Sequence, residues 1–157
     1  MELRGREEIE APIEWVWDRV VDFDAHERTA LRRGARVERL NASDGVAPGV
    51  TWRIDYEFRG RQRDTELRLV EVDRPNRLRL ASETGGVAGD VVVALTALSP
   101  SRTLLEVAVE LTPSTIPARL LVQSLRLAKG QIDRRLEERL KGWADDLARR
   151  YAAPGVA

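Results

Sequence analysis

The last quarter of the chain sets the strongest constraint on what it can fold into. From Ser114 to Tyr151 it reads STIPARLLVQSLRLAKGQIDRRLEERLKGWADDLARRY. Leu121, Leu125, Ala128, Ile132, Leu136, Leu140, Trp143 and Leu147 recur in steps of three or four, the spacing of one face of a helix. Ser114 or Thr115 can cap the start and Pro117 suits the first turn. Gly130 and Gly142 each cost about 1 kcal/mol but do not stop the pattern. A single helix of about 30 residues is predicted, roughly 45 Å long. It cannot hide its apolar stripe alone, so the rest of the chain must supply a long apolar surface.

That surface is a sheet. Residues 2 to 10 read as a first strand, with Leu3 and Ile9 apolar. The period then changes in APIEWVWDRVVDFD, where Pro12 suits a first helical position and Ile13, Val16, Trp17, Val20 and Val21 form a helical stripe. Asp22 and Asp24 break it, and a second short helix or turn runs to about Leu31. From Val37 onward the text is almost all strand: 35–40, 50–58, 63–72, 77–83, 90–98 and 103–111. The turn signals SDGVAPG, RGRQ, RPN, GGVAG and SPSR separate these runs, and such short connections join antiparallel neighbours. An α+β fold is predicted: a curved antiparallel sheet of about seven strands wrapped around the C-terminal helix, with a short helix pair after the first strand. Residues 1–151 are expected to form one domain, with 152–157 a frayed tail.

Composition narrows the function classes. The chain has 157 residues, 26 basic and 26 acidic, so no global field draws it to nucleic acid or an anionic membrane. The absence of cysteine excludes disulfides, thiolate metal sites and cysteine nucleophiles. One histidine, His26, makes a transition-metal site improbable, and no cofactor is expected. MELRGREEIE has no apolar run to serve as a signal peptide, and no stretch approaches the roughly 20 apolar residues of a membrane span. A cytoplasmic protein is expected.

Several stretches are similar to one family. IEAPIEWVWDRVVDFDAHERTA, APGVTWRIDY, RPNRLRLAS, TLLEVAVEL and the terminal amphipathic helix follow the order and apolar spacing of the START-related, birch-pollen-allergen-like (SRPBCC) superfamily. Within it the chain resembles the bacterial polyketide cyclase/dehydrase-like branch. The resemblance spans essentially the whole chain and implies a helix-grip fold. It implies no catalytic motif, because the matches are patterns of apolar spacing. Members of the family include carriers of hydrophobic ligands, coenzyme-Q-binding proteins, aromatase/cyclases and a chaperone-activator domain.

The alternation in TWRIDYEFRGRQRDTELRLV places Trp52, Ile54, Tyr56 and Phe58 on one face and Arg53, Asp55 and Glu57 on the other. A two-residue turn at Gly60-Arg61 would set Phe58 opposite Arg63, Tyr56 opposite Thr65, Ile54 opposite Leu67 and Trp52 opposite Leu69. Leu78, Leu80, Leu105, Val107, Val109 and Leu111 are inward candidates. The parity of strand 90–98 depends on the SPSR turn, with Val92, Ala94 and Thr96 as its inner candidates. The helix would present Leu120, Leu121, Ser124, Leu125 and Ala128, leaving room beside small residues, while Ile132, Leu136, Leu140 and Trp143 close the other end. The expected ligand-binding set is Trp52, Ile54, Tyr56, Phe58, Thr65, Leu67, Leu69, Leu80, Val107, Val109, Leu121, Ser124, Leu125 and Ala128.

The leading expectation is a protein that binds a small hydrophobic or amphipathic molecule in a cavity between sheet and helix. A cyclase, dehydratase or aromatase-like enzyme would use the same cavity, with Tyr56, Arg63, Thr65, Ser124 and Gln131 as its polar groups; that set contains no nucleophile–base pair. A protein-interaction module would instead have a filled grip. His26, Asp22 and Asp24 read as surface or structural residues. ETGGVAG reads as a turn at one end of the grip. The arginines of ERTALRRGARVERL and RGRQR read as a solvated face, and no aromatic-interleaved basic stripe supports nucleic-acid binding. A monomer or homodimer is expected.

Overall fold

A computed structural model describes residues 1–41 and 45–153 of the chain. Residues 42–44, which include the start of the SDGVAPG turn, and most of the expected tail (154–157) lie outside the described residues. The elements follow the predicted order: β1 (Glu2–Ile9), α1 (Ile13–Val20), α2 (Phe23–Arg32), β2 (Arg36–Arg39), β3 (Thr51–Phe58), β4 (Arg61–Asp73), β5 (Arg77–Thr84), β6 (Val87–Ser99), β7 (Arg102–Pro113), α3 (Ile116–Leu127) and α4 (Lys129–Ala152). The strands make one antiparallel sheet, ordered β1-β7-β6-β5-β4-β3-β2. This is the helix-grip α+β fold.

Local chemistry explains the boundaries. Asp22 caps α2 by accepting a hydrogen bond from the Ala25 amide at 3.2 Å, the structural role expected of it. Thr115 caps α3 in the same way through the Ala118 amide. Thr103, fully buried, donates its hydroxyl to the Ala11 carbonyl at 2.8 Å and ties the end of β1 to β7.

Three details differ from the sequence reading. The β3–β4 turn is Arg59-Gly60, not Gly60-Arg61, so Phe58 faces Arg61, Tyr56 faces Arg63, Ile54 faces Thr65 and Trp52 faces Leu67. Both turn residues have positive φ (52° and 73°), as the favoured two-residue hairpin turn requires, and glycine sits best at its second position. The shift is by two residues, so every side chain keeps its face. In β6, a bulge between Ala97 and Ser99 adds a residue next to the SPSR turn and flips the parity of everything before it. Val93 and Leu95 therefore point inward. Val92 and Ala94 line a shallow groove with Ala108 on the outer face, and Thr96 is exposed.

The third difference is in the C-terminal helix, which is two helices. At Ala128 the amide bonds back to Leu125 at 3.0 Å, a tighter i→i−3 bond, and the regular ladder resumes with Ile132 to Ala128. Because the break leaves the three-or-four spacing of apolar positions intact, the sequence pattern runs through it.

The packed core lies at one end of the grip. Ile9, Val16, Trp17, Leu69, Leu95, Leu105, Ala144 and Leu147 are buried together there, where α1 and the C-terminal half of α4 meet the sheet. Midway along, Gly5 lets α4 come down onto β1. A Cβ at this position would stand 2.7 Å from Leu140 Cδ1 and 3.0 Å from Leu136 Cγ.

Candidate functional site

Next to this core the concave face is not filled. A cavity of about 450 Å³ lies between the sheet, α2 and α4, within the range of small-molecule sites. The sheet supplies its floor and far wall: Val37, Trp52, Ile54, Leu67, Leu78, Leu80, Val93, Leu105 and Val107. These are successive inward positions on six neighbouring strands, and the cross-strand partners Leu78–Val93 and Val93–Val107 lie side by side. Val20, Phe23 and Ala30 close the cavity from the helix pair, and Leu140 and Trp143 from α4. Trp52 packs edge-on against Phe23, with centroids 4.9 Å apart at 77°, and fixes one corner.

Of the fourteen residues expected to bind ligand, Trp52, Ile54, Leu67, Leu80 and Val107 are brought together around this cavity. The others are elsewhere. Leu69 is fully buried in the packed core beneath it. Tyr56, Phe58, Thr65 and Val109 share the concave face but lie toward the hairpin tips. There the Thr84 hydroxyl donates to Thr65, and Phe58 sits between the guanidinium groups of Arg59 and Arg63, 5.4 and 5.5 Å from its ring centroid. Leu121, Ser124 and Leu125 belong to α3, where Ser124 accepts from Arg59 at 3.1 Å and donates to the Leu121 carbonyl. Ala128 marks the helix break.

The cavity is thus displaced along the helix from the small-residue stretch to Leu140 and Trp143, which were expected to fill that end of the grip and instead form part of the cavity wall. From Ala128 to Leu140 is about 18 Å of helix. The polar set proposed for an enzyme does not line this cavity either. Its polar lining is His26, Glu27 and Arg139.

His26 and Glu27 come from α2, for which the sequence showed no apolar stripe, and Arg139 stands beside the stripe of the C-terminal helix. His26 is exposed, as expected. It nonetheless stands at the rim, with its ring centroid 6.0 Å from that of Trp143 and Nε2 2.8 Å from the Val20 carbonyl, to which it must donate. Glu27 is held by Arg39 through both carboxylate oxygens (2.8 to 3.0 Å), and Arg39 also reaches Asp24 at 2.8 Å. Partial burial works against the Arg39 charge, but the hydrogen bonds and negative charges of Glu27 and Asp24 prevail and raise its pKa. Thus Glu27 is a neutralised member of the wall. Arg139 is exposed and also lines the cavity, so its side chain runs from the wall out to water.

Among the described residues no group of three or more His, Cys, Asp or Glu could hold a metal ion, and no helix is long and apolar enough to cross a membrane. No protein-family model matches the chain, and no curated protein sequence matches it. Solved structures do. The Zhui aromatase/cyclase of Streptomyces sp. R1128 superposes over 100% of this chain and 99% of its own, with a TM-score of 0.69 at 16% identity. A START superfamily protein from Mycobacterium smegmatis covers 88% of this chain and 98% of its own, with a TM-score of 0.57 at 16% identity. Ara h 8.0201 covers 82% and 90%, with a TM-score of 0.57 at 12% identity. These likenesses show the fold, and it is the fold that the sequence resemblance implied.

Proposed function

We propose that this helix-grip chain binds one small hydrophobic or amphipathic molecule in the cavity between the sheet, α2 and α4. One observation carries the reading: a space of about 450 Å³ whose walls are aliphatic and aromatic side chains, with polar groups only where it meets solvent. Apolar walls left facing water are costly at about 25 cal/mol per Å², and a ligand's apolar body relieves that cost. The chain acts in the cytoplasm as a single unit over residues 1–151, as a monomer or homodimer, without a nucleic-acid partner. The structures it resembles include an aromatase/cyclase and a START superfamily protein, which fits a ligand cavity in this place.

Native mass spectrometry of the freshly purified protein, with organic extraction of what accompanies it, tests this. A reproducible adduct that is released on denaturation and is absent from Val93→Trp supports the reading. The reading fails if no adduct is seen and the protein neither enhances nor shifts 1-anilinonaphthalene-8-sulfonate emission.

A further inference from the structure

We infer that the ligand is an amphipathic oxyanion, its apolar body inside the cavity and its anionic head on the guanidinium of Arg139; this rests on the binding reading above. The argument is one of charge accounting at the rim. The lining offers one acid and one arginine. The acid, Glu27, has both oxygens engaged by Arg39; Arg39 is shared with Asp24, so the trio keeps one negative charge, but Asp24 is exposed and does not line the cavity.

Arg139 is in the opposite condition. One turn away along its own helix stand Arg135, Leu136, Gly142 and Trp143, none of them acidic. Among the described residues, no carboxylate comes within ion-pair distance of it. Arg139 shares this with many surface arginines; what sets it apart is that it also lines the cavity, whereas Arg39, beside the same cavity, is held by Glu27. An exposed arginine with no acid partner on the wall of an apolar cavity matches a molecule with one anionic end.

The guanidinium also suits the chemistry of such a head. Its planar donors can grip a carboxylate, sulfate or phosphate monoester through two parallel hydrogen bonds. His26 does not compete for that role, because its Nε2–H is given to the Val20 carbonyl. A neutral head finds no matching charge at this rim, and a cationic head would meet repulsion.

The test is a comparison of decanoate, decyl sulfate, 1-decanol and decyltrimethylammonium, titrated below their micellar concentrations against wild type, Arg139→Gln and Arg139→Lys. Arg139 also lines the cavity, so Arg139→Lys, which keeps a long aliphatic stem, is the control for lost wall. Wild type is expected to bind decanoate and decyl sulfate roughly 3- to 10-fold tighter than 1-decanol, the size of a partly exposed ion pair, and added salt should shrink the preference. Arg139→Gln should abolish the preference, read as the ratio of decanoate to 1-decanol affinity within each variant, and Arg139→Lys should retain part of it. Equal binding of decanoate and 1-decanol by wild type, or a preference that survives Arg139→Gln, overturns the anion inference and leaves the cavity reading standing. Failure of all four compounds to bind overturns both.

Discussion

Whether the concave face has room is decided by one pair of substitutions on one strand. Val93 and Leu95 are two residues apart on the inward face of β6; Val93 lines the cavity, whereas Leu95 is buried in the packed core beside Leu105. Phenylalanine at position 93 adds about four carbons to a wall facing empty space. At about 0.8 kcal/mol per buried methylene the ceiling is about 3 kcal/mol, and incomplete burial plus the ordering of the ring leave a gain of about 1 kcal/mol. Phenylalanine at position 95 enters occupied volume and should cost about 1–3 kcal/mol. For a chain of this size each kcal/mol moves the melting temperature by about 2–4 °C. Urea unfolding of the two variants at equal slope reads the difference directly. Val93→Phe should be as stable as wild type or more so and should lose ligand binding, while Leu95→Phe unfolds at lower urea. If Val93→Phe is destabilised as much as Leu95→Phe, the space is not there, and the binding reading goes with it.

Other consequences are smaller in scope. Thr103→Val keeps the shape but leaves the buried Ala11 carbonyl without its donor, and should lower urea stability by about 1–3 kcal/mol; an unchanged midpoint contradicts the assigned bond. Gly5→Val places methyl groups against Leu136 and Leu140 and should cost about 1–3 kcal/mol despite valine's better strand preference. It should also weaken ligand binding, because Leu140 is displaced toward the cavity, and a more stable variant with intact binding contradicts the close approach. The Asp133 carboxyl is held below its ordinary range, first by the hydrogen bond from Lys129 at 2.6 Å, with burial opposing and the Arg4 amide assisting. A lowered folded-state pKa gives stability that is present above the unfolded value and lost as pH falls through the folded one. The stability gap between wild type and Asp133→Asn should therefore be larger at about pH 6 than at about pH 2, and a constant gap counts against this ion pair.

Much of the architecture was legible because it rests on periods that survive any local irregularity. Trp52, Ile54 and Leu67 kept their faces although the hairpin register moved by two, since face depends only on parity. What was not legible depends on single residues. The bulge at Leu98 reversed β6 and exchanged Val92 and Ala94 for Val91, Val93 and Leu95; nothing in TALSPSR announces an extra residue in that ladder. The break at Ala128 left the apolar spacing intact and so was invisible to a periodicity argument.

The cavity's position is the deepest of these, because it depends on what a side chain does not reach. Small residues on α3 pointed to room at that end of the grip. In the structure, Ala118 and Val122 are the α3 residues that pack inward, and Ile116, Leu120 and Leu127 remain 63–92% exposed. The apolar face of the C-terminal helices therefore closes on the sheet through α4. There Leu147 is fully buried against the core, and Leu136 and Leu140 approach β1 through the gap that Gly5 provides. Between the buried Leu147 end and that close approach, Arg139, Leu140 and Trp143 bridge a concave stretch of sheet whose inward residues are Val93, Val107, Leu67 and Leu80. None of these aliphatic side chains is long enough to fill the span. The void follows from where the helix is anchored rather than from the size of the residues beneath it. That is why a stripe read residue by residue put the space at the other end, and why Arg139, beside the apolar positions of that stripe, was not singled out.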